Sequence, residues 1–232
     1  MSHATCCVLS FNRPEFLTRS VMSLVRAADE PFELIVHDDG SKDAIDMRVA
    51  LDWLQYVVGA TVIRNAPGWN QGQGVALNRM FAMATGDPIY KLDQDLIYKP
   101  GWLSTSRRIL EDPKVGLLGL FHYHHEPCDS RHTLIEDHGD WSSRTHILGS
   151  AFGVSRECWE WLKPFHEHSE AFAEDWMFQQ QVTASHDFCC ALPKDDLVEN
   201  FGFGIGPSTV VVAPNTVQEI YHEPYLITTG VR

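Results

Sequence analysis

Two aspartates separated by a single residue, Asp93 and Asp95, follow the mostly apolar segment 89–92. The segment has the character of a buried strand, and strand side chains two positions apart point to the same face of a sheet. We therefore expect Asp93 and Asp95 to direct carboxylate oxygens toward one hard divalent cation, which can in turn hold a diphosphate group. Such a pair is also common on solvated turns, so its meaning depends on its neighbours.

A second acidic pair, Asp38 and Asp39, follows the apolar segment 32–36 and precedes Gly40 and Ser41. This pattern is typical of an Asx turn that caps the next helix. At the end of a parallel strand, a carboxylate can instead accept a hydrogen bond from a ribose hydroxyl or a uracil imide. The position at a strand end favours contact with a ligand.

A third acidic pair, Glu174 and Asp175, precedes an apolar and aromatic helix that begins at Trp176. Acidic residues at a helix start interact favourably with the positive end of the helix dipole, which is the structural interpretation. A carboxylate at this position can also take the proton of an attacking hydroxyl group. Both roles can hold at once.

The segments that must position these residues alternate between strands and helices. Strands are predicted at 6–10, 32–36, 61–64 and 89–93, and helices at 16–27, 42–56 and 74–84. This alternation implies right-handed crossovers and an α/β fold, with a mostly parallel central sheet and helices on both faces. Ligands of such sheets bind beyond the carboxyl ends of the strands. The polar residues predicted at these ends are Ser10, Asn12, Asp38, Asp39, Asn70, Asp93 and Asp95.

The second half of the chain is less regular. Apolar segments at 115–121, 147–154 and 197–203 indicate further strands, and a polar segment rich in histidine lies between the first two of them. No repeat, low-complexity tract or interdomain linker interrupts the 232 residues, of which 44% are hydrophobic. We therefore predict one domain over residues 1–232.

Charge and composition argue against several classes of protein. The formal net charge of −13 opposes broad binding to a phosphate backbone, which depends on a basic surface. The sequence opens without a charged and apolar leader and has no apolar run of bilayer length, so we expect a cytoplasmic protein without a membrane span. Six cysteines without CxxC spacing favour reduced, buried thiols.

The order of the motifs resembles that of a known enzyme family. The motifs are VLSFNR at 8–13, IVHDDGSKD at 35–43, DQD at 93–95 and EDW at 174–176. In this order the chain is similar to the GT-A nucleotide-sugar glycosyltransferases, particularly those of family 2, over roughly residues 4–210. The resemblance implies a single Rossmann-like GT-A domain, with a nucleotide-binding half over about 1–95 and an acceptor-side half over about 96–232.

The resemblance also assigns the site by position. It implies a UDP-sugar donor between the first two strand ends and a Mn²⁺ or Mg²⁺ ion on its diphosphate at Asp93 and Asp95. The residues assigned to the nucleotide sugar are Ser10, Asn12, Glu15, Asp38, Asp39, Asn70, Gly72, Asn78, Asp93, Gly149 and Ser150. In an inverting transfer, Asp175 is the base and Glu174 orients the donor sugar or the acceptor.

Part of the chain departs from the family pattern. Ser208 and Thr209 stand where related sequences often carry a histidine that completes the metal site, and His222 is the nearest later candidate. Either water or His222 is therefore expected as a further ligand. The histidines between Phe121 and Ile147 follow no regular zinc spacing, so a solvated loop on the acceptor side is the simpler interpretation.

These observations predict a metal-dependent glycosyltransferase that moves a sugar from a nucleoside diphosphate to a hydroxyl acceptor. The acceptor is open, and a hydroxylated DNA base is an alternative that the acidic charge disfavours. A nucleotidyltransferase would also use paired aspartates, but residues 10–13 are not the Gly-rich basic loop that a triphosphate requires. A non-catalytic nucleotide-sugar-binding module is the non-enzyme alternative.

Overall fold

The computed structural model describes residues 3–42, 44–122, 134–147, 149–167, 174–201, 208–213 and 216–220. Strands and helices alternate in the first half of the chain, as the sequence predicts. The strands are β1 (Ala4–Ser10), β2 (Phe32–Asp38), β3 (Thr61–Arg64) and β4 (Ile89–Asp93). The helices are α1 (Pro14–Ala27), α2 (Ile45–Trp53), which continues as a π-helical turn at Leu54–Val58, and α3 (Gln73–Met83).

The second half contains shorter elements. Its helices are α4 (Trp102–Leu110), α5 (Arg156–Leu162) and α6 (Glu174–Ala184). Its strands are β5 (Leu96–Tyr98), β6 (Val115–Gly119), β7 (Leu134–Asp137), β8 (Trp141–Arg144), β9 (Ala151–Val154), β10 (Cys189–Pro193), β11 (Val198–Asn200), β12 (Ser208–Ala213) and β13 (Thr216–Ile220). The pair β7 and β8 lies in the histidine-rich segment that the sequence predicts as a loop, so that prediction is wrong for residues 134–144.

One large sheet has the strand order β3-β2-β1-β4-β9-β6-β10-β8-β7 within the described residues. The first four strands in this order are parallel. β9 then runs antiparallel to both β4 and β6, and the far edge is mixed. The prediction of an α/β fold with a central sheet and helices on both faces is confirmed, and the sheet is parallel over its first four strands and mixed beyond them. β5 pairs with β11, and β12 pairs with β13, in two small separate sheets.

Helices cover both faces of the large sheet because its central strands are apolar on both sides. Cys6 and Val8 of β1 belong to the core that is shared with α1, α2 and α4. Cys7 and Leu9 belong to a second core that is shared with α3, α5 and α6. Burial of a Leu or Phe side chain contributes about 1.5–3 kcal/mol. The two cores therefore hold the strands in a fixed register, which positions their polar ends.

The structure changes two details of the predicted strands. β4 ends at Asp93, and Gln94 and Asp95 form a turn before β5, so the expectation that both aspartates lie on one strand face is wrong. β9 begins at Ala151 rather than at residue 147, because Gly149 and Ser150 form a turn. Both acidic residues of the DQD motif nevertheless remain at the carboxyl end of β4.

The sequence also predicted reduced, buried thiols and no membrane span. Among the described residues, Cys6, Cys7, Cys158, Cys189 and Cys190 are free cysteines, and all except the half-buried Cys189 are buried. Burial raises the pKa of the Cys189 thiol to about 11. No helix in the described part of the chain combines the length and the apolar character that a membrane crossing requires.

The side chain of Asn78 ties α3 to the segment that follows α5. Its Nδ2 donates to the Phe165 carbonyl oxygen and to Glu167 Oε1, each at 2.9 Å. Its Oδ1 accepts a hydrogen bond from the Phe165 N–H at 2.8 Å. Asn78 therefore uses its amide on the protein itself, across a separation of 87 residues.

Replacing Asn78 with alanine is expected to destabilise the fold. The change Asn78→Ala removes three hydrogen bonds and leaves the Phe165 N–H without its acceptor, so the free energy of unfolding should fall by about 1–3 kcal/mol. Urea denaturation measures the loss, and Gln181→Ala, on the exposed face of α6, is the control. A loss no greater than that of the control would contradict the proposed structural contribution of Asn78.

Candidate active site

Three of the predicted site residues end neighbouring strands of the parallel half of the sheet. Ser10 of β1 is paired with Asp38 of β2, and Leu9 is paired with Asp93 of β4. Parallel strands end at the same edge of a sheet, which is where such sheets bind their ligands. This register brings Ser10, Asp38 and Asp93 side by side.

Gln94 links the end of β4 to the end of β1. Its Oε1 accepts hydrogen bonds from Ser10 Oγ at 3.1 Å and from the Phe11 N–H at 3.2 Å. Its Nε2 donates to the Phe11 carbonyl oxygen at 2.9 Å. These hydrogen bonds hold the Gln94 side chain against the end of β1. The chain turns at this residue, so Asp95 lies outside β4. The sequence alone does not reveal this role.

Asp38 and Asn12 belong to one hydrogen-bond network, which joins two segments of the chain. Ser41 Oγ donates to Asp38 Oδ1 and accepts from the Asn12 N–H at 2.8 Å. Asn12 Oδ1 accepts from the Lys42 N–H at 2.8 Å. Burial raises the pKa of Asp38, and the hydrogen bonds from Ser41 oppose the rise. The loops after β1 and β2 are thus held together.

Asp39 holds the loop that precedes α3. Its Oδ1 accepts from Asn65 Nδ2 at 2.7 Å and from the Gln71 N–H at 2.9 Å, and its Oδ2 accepts from the Gly72 N–H at 2.9 Å. Asn70 Oδ1 accepts from the same Gly72 N–H at 2.9 Å. Both carboxylate oxygens of Asp39 are therefore engaged within the protein, and Asn70 helps to shape the same loop.

A buried ammonium group lies beside Asp93. Lys91, two residues earlier in β4, is 3% exposed. Its Nζ donates to Asp93 Oδ1 and to the Gly149 carbonyl oxygen, each at 2.6 Å. The Asp93 N–H donates to the Ser150 carbonyl oxygen at 3.0 Å. The turn at Gly149 and Ser150 is thus fixed against the end of β4.

Asp95 is a poorly solvated carboxylate, with 15% of its side chain exposed. Burial raises the pKa of Asp95 to about 6, Asp93 adds to the rise, and Arg13 and Lys91 oppose it. Arg13 Nη1 lies 3.7 Å from Asp95 Oδ2, and Asn200 Nδ2 donates to Asp95 Oδ1 at 3.4 Å. A carboxylate whose pKa is raised by burial and by a neighbouring carboxylate is in the electrostatic situation that a bound cation relieves.

Asp175, at the start of α6, lies against the turn that contains Gly149. A Cβ atom at position 149 would overlap Asp175 Oδ2, so the contact requires glycine. Asp175 Oδ1 accepts a hydrogen bond from the Trp176 N–H at 2.7 Å. Burial raises the pKa of Asp175, whereas Lys91 lowers it. A carboxylate with a raised pKa is a better proton acceptor once it is ionised.

An aromatic pair lies next to Asp175. The rings of His146 and Trp176 stack with their centroids 4.0 Å apart and an interplanar angle of 9°. Gln180 Nε2 lies 2.7 Å from His146 Nε2. The histidine-rich segment therefore contributes a ring to the surroundings of α6, although its histidine spacing does not predict which one.

Other predicted site residues lie elsewhere. Glu15 is exposed on α1 and lines a groove of about 1080 Å³ between α1, α2 and β5. Asn78 contacts the segment after α5, as described above. α6 begins at Glu174, whose side chain lies outside the described residues, as does His222. The structure therefore joins Ser10, Asn12, Asp38, Asp93, Asp95, Gly149, Ser150 and Asp175 in one region, and it leaves Glu15 at its margin.

The chemistry of Asp93 and Asp95 fits a hard divalent cation. Both offer carboxylate oxygens, and Mg²⁺ is commonly held by one or two carboxylates together with water and phosphate oxygens. In the part of the chain that the structure describes, no group of three His, Cys, Asp or Glu side chains is arranged to hold a metal ion. Two carboxylates leave the remaining coordination positions of such a cation to other oxygen ligands, such as water or phosphate oxygens.

Comparison with known proteins identifies the fold and the family of the chain. The fold is that of the GT-A glycosyltransferases, with the acidic strand ends at the edge where these folds bind ligands. The model of glycosyl transferase family 2 matches residues 5–169. The chain therefore belongs to glycosyl transferase family 2, which confirms the resemblance seen in the sequence.

Two relatives illustrate the similarity. An uncharacterized glycosyltransferase of Nostoc sp. (strain PCC 7120), alr2836, is 30% identical over 116 residues, which cover 50% of this chain and 34% of that protein. The mannosyltransferase PcManGT from Pyrobaculum calidifontis, in complex with GDP-Man and Mn²⁺, matches with a TM-score of 0.66 at 18% identity, over 84% of this chain and 55% of that one. The chain thus spans about a third and about half of these relatives' lengths.

Acidification is expected to weaken cation binding at Asp95. With a pKa of about 6, Asp95 is ionised at pH 7.5 and mostly protonated at pH 5, and a protonated carboxyl group is a poor ligand. The affinity for Mn²⁺, measured by electron paramagnetic resonance of the free ion, should fall by about tenfold between these pH values. Asp95→Asn should bind more weakly and show a smaller pH dependence. Equal affinity of the parent protein at both pH values would contradict this assignment.

Proposed function

We propose that the protein transfers a sugar from a nucleoside diphosphate to a hydroxyl acceptor, with a divalent cation at Asp93 and Asp95. The observation that carries the proposal is the convergence of Asp93, Asp95 and Asp175 near the buried Lys91. A pair of acidic ligands and a third carboxylate of raised pKa are the groups that such a transfer needs. Membership of glycosyl transferase family 2 supports the same reaction.

The nucleoside is proposed to bind at the ends of β1 and β2. Asp38 is engaged through Oδ1 in the hydrogen bond from Ser41, whereas Asp39 uses both oxygens on the loop before α3. We therefore expect Asp38 to contact the base or ribose and Asp39 to act mainly by shaping the pocket. Ser10 and Asn12 would line the same entrance.

UDP is our first choice of donor nucleotide. A carboxylate such as Asp38 can accept from the imide N–H of uracil, and the same group can accept from the N–H donors of guanine. The GDP-Man bound in the mannosyltransferase relative favours GDP as the second candidate. A binding comparison of the two nucleotides distinguishes them.

The transfer itself is proposed to be a single displacement. Asp175 takes the proton of the acceptor hydroxyl as its oxygen forms a bond to the anomeric carbon. The bond from that carbon to the diphosphate oxygen breaks on the opposite side, the nucleoside diphosphate leaves, and the configuration inverts. When bound, a divalent cation supplies positive charge for the growing charge of the leaving group. Because Gly149 has no side chain, the Asp175 carboxylate can lie against its backbone.

The hydroxyl acceptor is proposed to lie on the side of α6. A sugar, a small molecule and a protein side chain all fit this chemistry, and the net charge of −13 disfavours a hydroxylated base in DNA. A nucleotidyltransferase or a non-catalytic binding module would not release a nucleoside diphosphate from a nucleotide sugar. Release of the diphosphate in an acceptor screen therefore tests the class of reaction.

Donor binding is expected to require a divalent cation. Asp95→Ala removes one of two carboxylate ligands, so affinity for the nucleotide sugar in the presence of Mn²⁺ should fall about tenfold or more. Isothermal titration with UDP- and GDP-sugars, with Mn²⁺ and then with EDTA, measures the effect. Asp140→Ala, at an aspartate that is 64% exposed and paired with Arg108, is the matched control. Equal affinity with Mn²⁺ and with EDTA would remove the role of the cation.

Replacing the proposed base, Asp175, is expected to slow sugar transfer without weakening donor binding. Asp175→Asn keeps the size of the side chain but cannot accept the hydroxyl proton, so transfer should slow by roughly two to four orders of magnitude at unchanged donor affinity. Asp187→Asn, at an exposed aspartate beyond the end of α6, is the control, and Glu174→Gln should have a milder effect. Parental rates in Asp175→Asn would leave the inverting mechanism without its base and favour a retaining enzyme.

A further inference from the structure

A charged side chain is buried in the middle of β4, a strand that is otherwise apolar up to its last residue, Asp93. Lys91 is 3% exposed, and its strand neighbours are Cys7 of β1 and Phe152 of β9. Desolvation of an ammonium group is unfavourable unless the group is paired and hydrogen-bonded. An apolar residue would fill this position at a lower desolvation cost. The contacts of the Lys91 ammonium group must therefore explain why a lysine is buried here.

Lys91 bonds two segments that are far apart in the sequence. Its Nζ donates to Asp93 Oδ1 and to the Gly149 carbonyl oxygen, each at 2.6 Å. The first contact occupies one oxygen of Asp93 and leaves Oδ2 as the oxygen available to a cation. The second contact joins β4 to the turn before β9, across 58 residues.

The turn that Lys91 holds is the one that contacts Asp175. A Cβ atom at position 149 would overlap Asp175 Oδ2, so a shift of the Gly149 backbone would displace or release that carboxylate. The charge of Lys91 also acts at a distance, because it lowers the pKa of both Asp95 and Asp175. One ammonium group therefore interacts with all three carboxylates of the candidate active site.

We propose that Lys91 is a positioning residue, which fixes Asp93 and the Gly149 turn so that the metal-site aspartates and Asp175 act on one donor. It contacts neither donor nor acceptor, and it acts through the residues that do. The inference rests on the proposed transferase function for its catalytic consequence, whereas the positioning of the Gly149 turn stands on the geometry alone.

The test uses Lys91→Met, which keeps the aliphatic stem and removes the ammonium group. We expect kcat of sugar transfer to fall roughly 10- to 100-fold, because misplacement of a reacting group by about 1 Å has effects of this size. The KM for the nucleotide sugar should change by less than about threefold, since the carboxylates of Asp93 and Asp95 both remain in the variant as ligands for the cation. Lys99→Met, at a lysine that is 45% exposed and paired only loosely with Glu199 at 3.7 Å, should match the parent.

Hydrogen exchange measured by mass spectrometry supplies a readout that needs no activity. In Lys91→Met, backbone amides of residues 149–154 and of the start of α6 should exchange at least about twofold faster, while those of β2 and β3 stay unchanged. Lys91→Arg keeps the charge and the donors and should restore slower exchange and part of kcat. If Lys91→Met does not fold, Lys91→Gln takes its place, with the same expectations.

Two results would overturn the proposal. One is parental exchange in residues 149–154 of the neutral variant, and the other is a raised KM with parental kcat, which would make Lys91 a donor contact. Absence of transfer by the parent protein with every nucleotide sugar would instead refute the proposed function. In that case the exchange measurement still decides whether Lys91 holds the turn.

Discussion

The candidate active site depends on the place of β4 in the sheet. β4 pairs in parallel with β1 on one side and antiparallel with β9 on the other, so it is the boundary between the parallel half and the mixed half. Its carboxyl end therefore meets the strand ends of the first half and, through the turn before β9, the start of α6. Asp93 is the residue at which these contributions come together.

The polar residues of this region differ in what their side chains do in the structure. The side-chain oxygens of Asp39, Asn78 and Gln94 accept hydrogen bonds from backbone and side-chain donors of the protein, and these bonds hold loops in place. Asp95 and Asp175 each accept a hydrogen bond as well, but they are partly buried carboxylates of raised pKa. Desolvated carboxylates lower stability when they are ionised, and perturbed groups of this kind cluster at functional sites. The acidic and amide residues of this region thus fall into two groups, those that hold loops in place and the carboxylates of raised pKa that are suited to bind a cation or a proton.

The sequence predicted the parallel half well because that half follows simple rules. Apolar strands alternate with amphipathic helices there, and the polar residues at the strand ends, Ser10, Asp38 and Asp93, identify the edge at which we propose the ligand site. The same rules could not separate Asp38 from Asp39, since the partners of Asp39 come from a loop about thirty residues further along. The sequence shows that Lys91 lies within an apolar segment, but its contact with Gly149, 58 residues away, depends on the tertiary structure.

The second half was harder to predict for physical reasons. All four residues of β7 are exposed, so that strand lacks the alternation of apolar and polar residues that reveals half-buried strands. The end of β4 was misplaced because the bonds of Gln94 to Ser10 and Phe11 turn the chain away from the sheet. Short strands set by long-range contacts carry little local signal.

The most direct test of the central claim is the position of the cation in a crystal of the protein with Mn²⁺ and a nucleoside diphosphate. Anomalous diffraction at a wavelength that excites manganese locates the ion independently of the protein model. We predict one peak within bonding distance of carboxylate oxygens of Asp93 and Asp95 and of the diphosphate. A bound nucleotide with the manganese peak at other residues, or with no peak, would contradict the claim.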